Sequence, residues 1–240
     1  MKRKFHALLT AVACVHLLPL LGMSQPAYPS DWERANHHWE HNKLSAAQHH
    51  YDEWRNHHQD APVSQLALAE YRAASCAIQL QHRDAEQRVE RFLERYPEHP
   101  LCREAQWDYA NFLYRKRDWK DAAAAFDGLN TLRMKPAQKI EWQFKRGHAY
   151  FELEAYDEAR LDLFAVMEAK EASSMFREPA RYYFSHISYI KGQPQVALEG
   201  FLSLAEDAAL KNVVPIYIAQ LLHETEQYDR LIDYAPVVFS

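Results

Sequence analysis

Gly147-His148-Ala149-Tyr150-Phe151-Glu152-Leu153-Glu154-Ala155-Tyr156-Asp157-Glu158-Ala159 sets two small residues, Gly147 and Ala159, twelve positions apart. Leu163 and Val166 follow Ala159 at helical spacing and make one apolar stripe with it. Working outward, the same arrangement returns along the chain. The first small column reads Ala35, Ala73, Ala110, Gly147, Ser185 and Ala219, at spacings of 38, 37, 37, 38 and 34. Twelve positions later come Ala47, Ala85, Ala122, Ala159, Ala197 and Leu231. Sixteen later come Tyr51, Val89, Phe126, Leu163, Phe201 and Ala235; nineteen later come Trp54, Phe92, Leu129, Val166, Leu204 and Val238. A fixed period of this length predicts a repeat architecture.

Each period reads as a helical hairpin. The small residue of the first helix and the alanine of the second let neighbouring backbones approach, and the large apolar residues fill the space between hairpins. No hairpin buries its face alone, so stacking supplies the core and a solenoid follows. Ala61-Pro62, Tyr96-Pro97, Lys135-Pro136 and Val214-Pro215 punctuate the connections, where proline stops one helix or opens the next. Composition agrees. Val, Ile and Thr together number 20 of 240 residues and glycine only 5, which disfavours β architectures.

Across about residues 30–238 the chain resembles tetratricopeptide (TPR) repeats. Gly147, Tyr150, Tyr156, Asp157, Glu158 and Ala159 match the family's signature spacing; Ala85 with Pro97, and Trp119, Ala122 and Phe126, extend the match to neighbouring units. The resemblance implies an all-α fold, a right-handed superhelical solenoid of about six TPR-like helical hairpins. Their units fall near 28–60, 65–98, 102–133, 138–170, 177–209 and 212–238. Two features depart from the family. Arg34, Arg72 and Arg146 stand where a leucine is usual, and the period lies nearer 37 than 34. The stretch Phe92-Leu93-Glu94-Arg95-Tyr96-Pro97-Glu98-His99-Pro100 resembles the unit boundary of exported TPR scaffolds of the Gram-negative envelope. That resemblance implies a docking role in the periplasm, associated with the outer membrane, with a protein or peptide partner in the cell envelope.

The amino terminus fits export. Lys2-Arg3-Lys4, an apolar run from Ala7 to Leu21, and Gly22-Met23-Ser24 form the three parts of a secretory signal peptide over residues 1–24. His16 and Pro19 interrupt the run, which falls short of the ~20 apolar residues of a spanning helix. No transmembrane segment is therefore expected after cleavage. Cys14 lies inside the run and no cysteine stands directly after it, where a lipoprotein signal carries one, so lipid attachment is not indicated. Losing three basic residues takes the charge from −5 to −8; an acidic chain without a basic stripe argues against nucleic acid. The solenoid then occupies residues 25–240. Because Val238 falls on a packing column, a following helix is expected there: further carboxy-terminal repeats or a covering partner.

No catalytic constellation is visible. Phosphate loops, Gly-x-Ser-x-Gly elbows and His-Glu-x-x-His are all missing from the sequence, so the chain is not expected to be an enzyme and no cofactor is expected. Cys76 sits mid-helix and Cys102 opens the next hairpin, which staggers them beyond disulfide reach. Histidine is the odd cluster: 7 of 14 lie between residues 37 and 58. His37 and His41 stand four apart on one helical face, the geometry of a transition-metal chelate. A closed site needs more ligands, so the cluster reads first as a solvated polar cap of the terminal hairpin.

The first helix of each TPR hairpin lines the concave groove. Groove residues are expected three before, one after and four after the small column, away from the stacking stripe. Unit one then presents Trp32, Asn36 and Trp39; unit three, Trp107, Asn111 and Tyr114. Unit four presents Phe144, His148 and Phe151, and unit five Tyr182, His186 and Tyr189. Unit two, with Glu70, Ala74 and Ala77, is expected to widen the groove. Rigid rings beside amides and imidazoles suit a peptide or a helix. The alternatives are a spacer, or the amino-terminal solenoid of a longer envelope protein, with no ligand of its own; more remotely, a helical module of an enzyme whose catalytic domain lies outside this chain.

Overall fold

The computed structural model describes residues 30–238; the expected signal peptide lies outside these residues. Twelve α-helices follow one another in six antiparallel hairpins, with no strand among the described residues. The hairpins are α1 (Asp31–Glu40) with α2 (Leu44–His57), α3 (Val63–Leu80) with α4 (Ala85–Arg95), and α5 (Cys102–Lys116) with α6 (Trp119–Asp127). They continue with α7 (Pro136–Glu152) and α8 (Tyr156–Glu168), α9 (Ser174–Ile190) and α10 (Pro194–Leu202), and α11 (Val214–Glu224) and α12 (Tyr228–Val238).

Local chemistry sets several helix ends. Ser30 and Glu33 close a capping box at the start of α1, with the Ser30 N–H donating to Glu33 Oε2 at 2.8 Å. Pro136 and Pro194 open α7 and α10, where proline's missing N–H costs nothing. Every hairpin turns through one residue in the left-handed region: Asn42, Gln81, Arg117, Glu154, Gly192 and Glu226, with φ between 54° and 68°. The N–H after each returns to the carbonyl five residues back, from Lys43 to His38 at 2.8 Å and from Gln227 to Leu222 at 2.9 Å. All six turns are therefore Schellman caps that satisfy the last carbonyls of the first helix.

The apolar columns form the core. Ala47, Ala85, Ala122, Ala159 and Ala197 are all 0% exposed, and Tyr51, Val89, Phe126, Leu163 and Phe201 are at most 1%. Close approach is literal in units four and five. A Cβ on Gly147 would sit 2.9 Å from Asp162 Cβ and 3.1 Å from Leu163 Cγ. In the next unit the glycine has moved to the second helix, where a Cβ on Gly200 would run into Ser185. In the last hairpin the columns open: Ala219, Leu231, Ala235 and Val238 are only partly covered.

Unit two corrects the register of the first column. Counted seven residues back from the left-handed turn residue, the column reads Ala35, Ala74, Ala110, Gly147, Ser185 and Ala219. Ala74 packs with Ala85 of its own hairpin, whereas Ala73 joins the cluster around Ala35 and Ala47 of the first. In α3 alanines 69, 73, 74 and 77 are all buried, so small size alone does not mark the register there. Cys76 and Cys102 are both free; burial pushes the Cys76 thiol up to about 12.

Candidate functional site

Two pairs of first helices touch, α3 with α5 and α7 with α9, while among the described residues no two successive second helices come into comparable contact. All twelve expected groove residues share the first-helix face where the groove is expected, and eleven of them are half-buried. Asn111 is the exception, at 7% exposure.

Their partners decide what that face offers. At all five junctions the residue one after the small column touches the residue two before the next small residue. Arg72 donates to Asn36 Oδ1 at 2.5 Å, Ser75 to Asp108 at 3.4 Å, and Lys145 to Asn111 Oδ1 at 2.5 Å. The ring of His148 lies 4.6 Å from that of Tyr183, and that of His186 lies 5.2 Å from that of Tyr217. The amides and imidazoles expected to face a ligand are thus held by the next hairpin. Lys145, Tyr183 and Tyr217 went unread in the sequence, although counting two positions back from the small column finds them.

Aromatic rings occupy the same face from unit three onward. Tyr114 approaches Trp119 edge-on at 5.5 Å, Phe144 stacks parallel to His148 at 6.1 Å, and Phe151 lies 4.8 Å from Tyr183. Tyr182 reaches both Phe201 and Tyr217, and Tyr189 meets Tyr217 at 6.4 Å. Lys145 Nζ sits between Trp107 and Tyr114, 5.9 and 5.7 Å from their ring centres, a cation–π pair at the edge of the strip. Unit one differs. Trp32 packs inward on Trp54 at 4.7 Å, and Trp39 lies under the Arg72 guanidinium at 5.3 Å. Unit two offers none of its expected residues to that face, because Glu70, Ala74 and Ala77 are buried. Glu70 is instead clamped between Arg95, at 3.0 Å, and Arg55, at 3.8 Å.

Electrostatics follows burial. His148 is held below the ordinary imidazole value by desolvation, against the pull of Glu152 Oε1, 3.2 Å from its Nε2. Its Nδ1 meets the Tyr114 hydroxyl at 2.6 Å. Burial likewise lowers His186. Asp108 goes the other way: burial raises its carboxyl, and its hydrogen bonds come from the hydroxyls of Tyr71 and Ser75. Among the described residues no three metal-binding side chains converge on one point. No described helix is long and apolar enough to cross a membrane.

This is the fold of tetratricopeptide-repeat solenoids. A tetratricopeptide repeat protein from Parabacteroides merdae aligns with a TM-score of 0.58 at 16% identity, over 87% of this chain and 77% of that one. PilW, described as a widely conserved type IV pilus biogenesis factor, aligns at 0.51 and 16% identity over 83% and 86%. The apo form of RapI aligns at 0.52 and 13% identity, over 87% of this chain and 63% of its own length. No family model matches the sequence, and no curated protein does.

Proposed function

We propose that the chain is a non-enzymatic protein–protein interaction scaffold of the cell envelope, binding a peptide or helix along its inner face. One observation carries the reading: a continuous strip of half-buried rings on the first helices, from Trp107 through Tyr114, Phe151 and Tyr182 to Tyr189. A rod that binds nothing has no use for such a strip. Because Asn111, His148 and His186 are engaged by the next hairpin, recognition rests on rings that bury apolar side chains rather than on bonds to a ligand backbone. The favoured partner is therefore a segment with apolar anchors. Support for the envelope comes from the signal-like amino terminus and from the fold shared with a pilus biogenesis factor.

Affinity capture from an envelope fraction, followed by titration of the captured partner, tests this. The double substitution Trp107→Ala/Tyr114→Ala is expected to weaken binding by ~2 kcal/mol or more while circular dichroism stays unchanged. Joint loss of helicity and binding would assign the rings to the core. Unchanged binding would move the site elsewhere, and capture of nothing would favour the spacer.

A further inference from the structure

The first hairpin carries a strip of imidazoles that the inner-face strip does not use. The His37 and His41 rings lie 4.1 Å apart, His37 and His38 5.7 Å, His38 and His50 5.4 Å, and His49 and His50 5.2 Å. Within it, His37 and His41 stand apart in three ways. Both are exposed, and neither enters a salt bridge, whereas His50 faces Asp31 at 3.4 Å. Their rings are also the closest of the strip, tilted by only 36°.

His41, moreover, is already oriented. Its Nδ1 lies 2.7 Å from the His37 carbonyl oxygen. A carbonyl only accepts, so Nδ1 carries the proton and Nε2 keeps its lone pair facing outward from that bond. Metal-ligating histidines are held in this way, donating the second ring N–H to a backbone carbonyl. Two metal–nitrogen bonds of about 2.0–2.1 Å need two ring nitrogens turned toward one ion, and ring centres 4.1 Å apart on successive turns bring the two imidazoles close enough for that. His41 is also the C-cap of α1, where the helix dipole favours a cation.

We propose that His37 and His41 form a solvent-facing two-point chelate for a transition-metal cation of the Cu²⁺, Ni²⁺ or Zn²⁺ class, with water in the remaining positions. Imidazole suits these ions, whereas Mg²⁺ and Ca²⁺ take oxygen ligands. Among the described residues no third His, Cys, Asp or Glu completes the sphere, so the proposed site is open and its affinity moderate.

Calorimetric titration of the untagged full chain with Cu²⁺, Zn²⁺ and Mg²⁺ tests it, alongside His37→Ala, His41→Ala and His49→Ala. Expected are one ion per chain bound with moderate affinity, Cu²⁺ ahead of Zn²⁺, no Mg²⁺ response, and weaker binding at pH about 5.5 as protons compete. His37→Ala and His41→Ala should each lose about ten-fold or more in affinity, and His49→Ala none. Melting curves of the metal-free variants confirm that these exposed changes leave the fold intact. No binding below ~1 mM, unchanged affinity in His37→Ala or His41→Ala, or equal losses in all three variants would overturn the two-point chelate.

Discussion

Hairpins one to four and hairpins four to six are joined through the same pair of backbone positions, yet by different chemistry. The first three junctions are polar: Asn36 with Arg72, Ser75 with Asp108, Asn111 with Lys145. The last two pair an imidazole with a phenol ring, His148 with Tyr183 and His186 with Tyr217. Polar junctions are directional and fix how one hairpin is turned on the next, while ring junctions bury area and tolerate sliding. The repeat dictates where neighbours meet; residue type decides whether the meeting specifies an angle or supplies cohesion.

Charge removal should give the largest contrast. Glu70 is buried in the polar half with Arg55 and Arg95 as its cations. The double change Arg55→Ala/Arg95→Ala is expected to cost about 3–5 kcal/mol in urea unfolding, because it strands a buried carboxylate. In the ring half, overpacking is the sharper probe. Gly147→Leu meets Asp162 and Leu163 and is expected to cost ~1–3 kcal/mol or more, as is Ala122→Leu in unit three. Glu158→Gln, on the exposed side of α8, should stay within about ±0.5 kcal/mol. Equal midpoints for these changes would dissolve the column assignment.

Acid should act with opposite sign on the imidazole junctions and on the Asp108 junction. His148 and His186 are lowered from 6.5 by burial, so as pH falls through about 6.5 the unfolded chain takes up protons first and stability drops. Asp108 is raised from 3.8 by burial, so at lower pH the folded chain binds its proton first and that junction gains. His148→Phe/His186→Phe should therefore lose less stability than wild type between pH ~7.5 and ~5.5. Asp108→Asn should remove the gain expected as pH falls into the carboxylate range. Matching pH profiles for wild type and the double variant would clear the imidazoles of the effect.

A smaller change than overpacking should be the same in both halves, because the turns are the same. Gln81→Gly and Glu154→Gly replace side chains at φ of 56° and 60° and are expected to raise stability by about 0.5–1 kcal/mol each. Gly192→Ala should lower it by a similar amount. A gain confined to one half would mean that the hairpin turns are not equivalent.

The second-helix columns were legible because alanine and a large apolar residue recur there at a spacing nothing else explains, and those residues are the buried ones. The turns were not. Five of the six left-handed positions carry Asn, Gln, Arg or Glu instead of glycine, so the usual punctuation is absent. Alanine richness hid the register of α3. The candidate site was half legible: periodicity placed Asn111, His148 and His186 on the inner face. It did not say that the next hairpin already holds them, since one helix's own period leaves out the neighbour; pairing each position with the residue two before the next small one is what finds the partner. The rings of unit one showed the same gap, Trp32 turning inward onto Trp54.

The second helix of every hairpin packs on the first helix of the next, so the stack is seated across its thickness and is not pinned along one edge. A pull on the two ends is shared at each junction by buried apolar area as well as by the side-chain pair on the first helices. The joint between the second and third hairpins shows it: Asp108 accepts from both Tyr71 and Ser75, and Ala105 and Phe112 of α5 share one apolar cluster with α3 and α4. The aromatic strip that begins at Trp107 therefore stands on a spine that resists opening just ahead of it.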